Sequence, residues 1–190
     1  MAMTDTREQN QLTLPPAGTY AFDEHHTSFG FVARHMISKV RGTFTEWSGT
    51  VEIAERPEDS HVKVELKTDS ITTNNERRDG HLRSADFFQA EDYPVLAFES
   101  TVIRPGEGNA FTIEGNLTVK DVTNPVTFDA VLEGWGPGLQ EGTTMAAFSA
   151  RTTIDREDWD LTWNMAVETG GFLVGKQVDI EIDAELLLAS

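Results

Sequence analysis

Val178-Asp179-Ile180-Glu181-Ile182-Asp183-Ala184-Glu185-Leu186-Leu187-Leu188, near the carboxyl end, alternates apolar and acidic residues almost throughout. A strand turns successive side chains to opposite faces. This period therefore sets Val178, Ile180, Ile182, Ala184, Leu186 and Leu188 against a core, with four carboxylates in water. The pattern recurs upstream. Phe29, Phe31, Ala33 and His35 alternate with Ser28, Gly30, Val32 and Arg34, and Val62, Val64 and Leu66 alternate with Lys63, Glu65 and Lys67. Phe111 and Ile113 lead through Gly115 to Leu117 and Val119, and Val126, Phe128 and Ala130 follow a turn at Asn124-Pro125. Turn-forming clusters at 56–59, 104–109 and 134–138 separate the runs. About eight long strands with little helix predict an all-β antiparallel sandwich or barrel. A closed sheet of that size either packs its own side chains or holds one small ligand, and both outcomes remain open from the pattern alone.

The chain of 190 residues fits one domain. Residues 1–17 are polar and end in Leu14-Pro15-Pro16, which reads as a flexible tail or an arm, leaving 18–190 for the barrel. A net charge of −17, from 32 acidic and 15 basic residues, repels nucleic acid and anionic membrane surfaces. The absence of cysteine excludes disulfides, thiolate metal ligands and a cysteine nucleophile. The first ten residues hold no apolar run, and no stretch approaches the ~20 apolar residues of a membrane span. A cytoplasmic protein without stable membrane insertion is expected.

One stretch interrupts the alternation, Ser70 to Phe98. Asn74 or Asn75 can cap a short helix, and Arg78, Leu82 and Ala85 or Asp86 follow at helical spacing, weakened by Gly80. Phe87-Phe88 comes next, and Tyr93-Pro94 returns the chain to extended geometry. A basic helix with an aromatic edge, set between strands, reads as a lid or plug at a barrel mouth.

These residues resemble those of a known family. His26-Thr27-Ser28-Phe29-Gly30-Phe31-Val32-Ala33-Arg34-His35-Met36 and Lys39-Val40-Arg41-Gly42-Thr43-Phe44 are similar to the opening signature of the YceI-like family. Asp69-Ser70-Ile71 with Arg77-Arg78-Asp79 and His81-Leu82-Arg83-Ser84-Ala85-Asp86-Phe87-Phe88 resembles its second signature, which Tyr93 to Thr101 continues. Gly115 to Val126, Ile154-Asp155-Arg156 and Gly175-Lys176-Gln177-Val178 resemble its later marks, in order from about Gly18 to the end. The resemblance implies an eight-stranded lipocalin-like barrel with one or two short helices near its mouth. It also implies a polyisoprenoid ligand, an isoprenoid quinone or polyprenyl lipid, in an apolar pore, and a homodimer. Many relatives carry a signal peptide, and this sequence shows none.

On that basis the ligand-contacting residues are Phe29, Phe31, His35 and Phe44 from the first signature, and Leu82, Phe87, Phe88 and Phe98 around the helical insert. Trp163 and Met165, at a pore mouth, and Ile180 and Ile182 complete the set. No catalytic residue, metal or cofactor is expected. The histidines His25, His26, His35, His61 and His81 lack the spacing of metal ligands. No Gly-x-Ser-x-Gly is present. Asp155 with Asp158 reads as the cap of a helical turn. Gly170-Gly171-Phe172-Leu173-Val174-Gly175 leads into a strand rather than a helix, so it suits a hairpin connection better than a phosphate cradle. Arg34, Arg41, Arg77, Arg78, Arg83 and Arg156 could grip an anionic head group, or could pair with Asp79, Asp86 and Asp155 to tie down the lid.

Overall fold

A computed structural model describes residues 7–9, 12–139, 142–166 and 173–189. Residues 1–6, 10 and 11 of the amino-terminal segment and 170–172 of the glycine-rich stretch therefore lie outside the described residues. The strands are β1 (Arg7–Gln9), β2 (Leu12–Leu14), β3 (Gly18–Phe22), β4 (Ser28–His35), β5 (Ser38–Phe44), β6 (Trp47–Ile53) and β7 (His61–Lys67). They continue as β8 (Ile71–Thr72), β9 (Val95–Pro105), β10 (Ala110–Val119), β11 (Val122–Pro137), β12 (Thr144–Asp155) and β13 (Val174–Leu188). The single α-helix among the described residues, α1, spans Glu76–Arg83.

Eight strands close a ring in the order β3, β6, β7, β9, β10, β11, β12, β13, each antiparallel to the next, with β13 returning to β3. The alternating stretch 178–188 is the closing strand. Its Leu186–Leu188 end pairs with β3, whereas Val174 and Val178–Asp183 pair with β4, which carries β5 and then β8 on its far edge. The wall thus changes partner halfway along one strand, and the β4–β5 hairpin extends it toward one end, the mouth.

Close cross-strand packing shapes the inner wall. Phe31 lies opposite Gly42, where a Cβ would collide with its ring, and Gly115 leaves room for the ring of Phe98 in the same way. At the opposite end, β1 and β2 pair with each other, and the buried Leu14 reaches the barrel interior. Trp135 Nε1 donates to Thr13 O (2.9 Å) and Tyr20 Oη to Pro16 O (2.9 Å), fastening this segment to the wall.

The helix forms where its cap predicts. Asn75 Oδ1 accepts from Arg78 N (3.1 Å). It stops at Arg83, short of residues 85 and 86. Ser84 is extended and its N–H bonds to His81 O, after which turns bring Phe87 and Phe88 round.

Candidate functional site

Inside the ring lies a cavity of about 310 Å³. It runs from Leu14 and Pro15 at one end to Leu82, Phe87 and Val174 at the other. β13 lines it at six positions from Val174 to Leu186, a span of ~40 Å along the strand, or roughly 30 Å along the barrel axis after strand tilt. A small volume over that length is a narrow bore.

The walls are apolar. Apart from the indole of Trp159, only Ser60, Ser149 and Arg156 among the described residues bring polar side chains to the lining. Trp159 Nε1 donates to Leu117 O (2.9 Å), and Arg156 Nε to Gly175 O (2.9 Å), so the larger two are already bonded to backbone. Such a bore favours an apolar guest, because nothing in it replaces the hydrogen bonds of a charged one.

Nine of the expected contacts line this bore: Phe29, Phe31, Phe44, Leu82, Phe87, Phe88, Phe98, Ile180 and Ile182. His35 and Trp163 instead line a vestibule of about 540 Å³, which shares Phe31, Ala33, Leu82, Phe87 and Val174 with the bore. Met165 lines neither space and is 56% exposed. The reason is local: Asn164 Oδ1 accepts from both Met165 N (3.0 Å) and Val174 N (3.0 Å), and this clamp leaves Met165 outside. The vestibule also takes in Arg34, Arg77, Arg78 and His81, with no carboxylate among the described residues of its lining.

The lid is anchored through Asp79, which is buried within α1. Its carboxylate accepts from Thr73 Oγ1, Thr73 N (2.8 Å) and Thr72 Oγ1 (3.1 Å). Arg78 does not reach Asp79: its Nε donates to Thr73 Oγ1 (2.6 Å). The other expected arginine pairings also differ. Asp86 pairs with His81 (2.8 Å), Asp155 caps the turn Arg156–Trp159 through Glu157 N (3.0 Å), and Arg83 Nη2 donates to Ile71 O (3.0 Å). Small hydroxyls and backbone carbonyls hold these arginines more closely than acids do, Arg83 reaching the exposed Glu76 only at 4.0 Å.

Burial pushes the Asp79 carboxyl up, and this is the largest single influence on it. The bonds from Thr73, Thr72 and the Asn75 backbone together outweigh burial and hold it below its ordinary 3.8. A depressed acid stabilises the fold above its unfolded pKa, and that stability is lost as pH falls through the folded value. Asp79→Asn is expected to cost about 1–3 kcal/mol at pH 7, with the gap from the parent closing below about pH 4. Urea unfolding at the two pH values checks this, and a gap that stays constant with pH would remove the charge from the account.

His81 sits edge-on to Trp163 (4.5 Å between ring centres) and to Phe87 (5.1 Å), with Asp86 fixing its ring. Trp163, Phe87 and His81 thus form one aromatic rim where vestibule meets bore. Among the described residues, one group could offer three ligand atoms to a metal: Asp23, His26 and Glu185. There Asp23 Oδ1 already accepts from His25 N (2.7 Å), His26 N (3.1 Å) and His26 Nδ1 (3.1 Å), which makes it the hydrogen-bonded corner between β3 and β4.

Comparison with known proteins fits this geometry. The family model for the YceI-like domain matches residues 20–186. The chain belongs to the YceI-like family. A UPF0312 protein of Staphylococcus aureus strain N315 is 34% identical over 173 residues, covering 90% of this chain and 98% of that one. Among solved structures, a Campylobacter jejuni YceI protein matches with a TM-score of 0.73 and 25% identity, over 83% of this chain and 90% of that one. A polyisoprenoid binding domain from Saccharophagus degradans matches with a TM-score of 0.66 and 14% identity, over 92% and 100%. The last likeness is one of fold. YceI-like membership thus accounts for the closed barrel.

Proposed function

We propose that the chain binds a polyisoprenoid lipid, an isoprenoid quinone or polyprenyl chain, along its bore and serves as a carrier or store rather than an enzyme. The observation that carries this reading is the narrow apolar cavity of about 310 Å³ adjoining a wider, more polar vestibule with which it shares lining residues. That sequence of spaces suits a long apolar tail with a polar head, the tail among Phe29, Phe98, Ile180 and Ile182 and the head beside His35, Arg78 and Trp163. Each CH₂ moved from water into such a bore is worth ~0.8 kcal/mol, so affinity grows with tail length and needs no metal or cofactor. A polyisoprenoid-binding domain of the same fold supports the ligand class. No helix among the described residues is long and apolar enough to cross a membrane. The reading is completed by a homodimer, as the family resemblance implies, and by a cytoplasmic location.

Organic extraction of the purified protein followed by mass spectrometry tests the proposal. The expected result is a lipid whose homologues differ by one isoprene unit. Protein that is reproducibly free of lipid and takes up no added quinone would defeat it. Conversion of the bound lipid, abolished by His35→Ala, would replace carriage with catalysis.

A further inference from the structure

We infer that the tip of the β4–β5 hairpin docks on an anionic lipid bilayer and sets the vestibule against the membrane surface. Two independent features of the mouth meet there. The first is apolar exposure. Ile37 at the tip is 94% exposed, Met36 45% and Met165 56%, and these are three of the four large apolar side chains exposed among the described residues. They belong to one patch, since Met36 N donates to Leu173 O (2.8 Å) and Leu173 N to Met165 O (2.9 Å). The fourth, Leu139, follows β11 on the turn into β12, at the opposite end of the barrel.

The second feature is charge. Although the chain holds 32 acidic residues, none falls between His25 and Thr45, a stretch that carries Arg34, Lys39 and Arg41. Arg34 and Lys39 face each other directly in the β4–β5 register, an arrangement of like charges that costs stability unless an anion lies against it. Neither has a carboxylate partner among the described residues, and nor has Arg77 on α1. Four carboxylates near the mouth are engaged elsewhere: Glu181 with Arg41 (3.0 Å), Glu157 with Lys176 (2.6 Å), Asp86 with His81 (2.8 Å) and Glu76 with Arg83 (4.0 Å).

The net charge of −17 by itself repels an anionic surface, but salt screens most of it from the tip. Fields of exposed charges fade over about 8 Å at physiological salt. On β13 the first acids back from the tip are Asp179 and Glu181, opposite Val32 and Gly30. These lie ~13–20 Å from Met36 by strand rise. A facing membrane therefore meets the cations first. A second copy of this chain fits the patch less well, because a two-fold contact would set Arg34 and Lys39 against their own counterparts. An anionic bilayer complements both features, taking the apolar tip between its headgroups and the cations at their phosphates. It would also let a lipid slide between bilayer and bore without crossing water. That use rests on the proposed function, whereas the docking does not.

Sedimentation with vesicles of phosphatidylcholine alone, or with about a third phosphatidylglycerol, tests this. The intact protein is expected to bind only the anionic vesicles and to leave them as salt rises from about 0.05 to 0.5 M. Ile37→Asp, and Arg34→Glu with Lys39→Glu, should each lower the partition coefficient by about tenfold or more, while Leu139→Asp leaves it unchanged. Binding that ignores vesicle charge, or that survives both mouth variants, overturns the inference. So does conversion of a dimer to a monomer by Ile37→Asp with vesicle binding intact. Lipid extracted from the same samples keeps the two readings separate: docking with an empty bore retains this inference and defeats carriage, and a filled bore without docking does the reverse.

Discussion

Arg156→Ala is expected to lower the unfolding free energy by about 3–5 kcal/mol and to loosen the start of β13. Arg156 is 4% exposed, and its guanidinium holds three segments together. Nε donates to Gly175 O (2.9 Å), Nη2 more distantly to Val174 O (3.5 Å), and Nη1 to Leu161 O. Burial pushes this guanidinium below its ordinary value, opposed by the charges of Glu157 and Asp155, so its charge sits at a cost that the carbonyl bonds offset. Alanine removes the donors, leaving the buried Leu161 carbonyl unpaired at about 1–3 kcal/mol and freeing the half-buried carbonyls of Val174 and Gly175. Arg156→Lys should recover less than half of the loss, since an ammonium is a point donor and cannot bridge carbonyls splayed around a planar fork. Urea unfolding reads the global cost, and hydrogen exchange at Val174 and Gly175 reads the local one. A loss within about 0.5 kcal/mol would show that the three bonds contribute nothing net.

Arg156 also marks where sequence reading reached its limit. Its position beside a capping Asp155 was legible, but its burial was not, because its partners are carbonyls and carry no side-chain signature. The period-two runs located β4, β7, β10, β11 and β13 and the phase of each. That was enough to place most of the bore-lining residues, since a strand buried on one face fixes its inward set by alternation. β12 escaped because its inward set, Ala146, Phe148, Ala150, Thr152 and Ile154, is small or polar in places and so lacks contrast. β6 escaped for a similar reason, with Gly49 standing in the row of Val51 and Ile53 where backbone from β7 comes close. Leu14 and Pro15 read as tail, yet they line the end of the cavity away from the lid, a long-range contact that local patterning cannot report. Met165 stands at the mouth but lines neither space, because the clamp that leaves it outside comes from Asn164, whose bond to Val174 spans ten residues.

Ala150→Trp is expected to empty the barrel while leaving it folded. Ala130 and Ala150 face each other across β11 and β12, and both line the bore. Two small side chains meet here, with Ile182 opposite Ala150 on β13. An indole at Ala150 would enter a cavity of only about 310 Å³ and interrupt it along its length. Overpacking of this kind typically costs about 1–3 kcal/mol, which a domain of this size can bear. The lipid loses more. Displacing only two methylenes from the bore forfeits ~1.6 kcal/mol, already more than tenfold in affinity, and a severed bore displaces many. Phe98→Ala supplies the opposite change. It removes a ring that packs against Phe128 (5.2 Å) and widens the bore at a stability cost of about 3–5 kcal/mol, yet lipid content should hold or rise. If lipid content instead follows stability through both substitutions, the tail does not lie in the bore. The side chains then fill the barrel for its own sake, because a guest threaded past Ala150 must respond to the width of its channel and not to the stability of its walls.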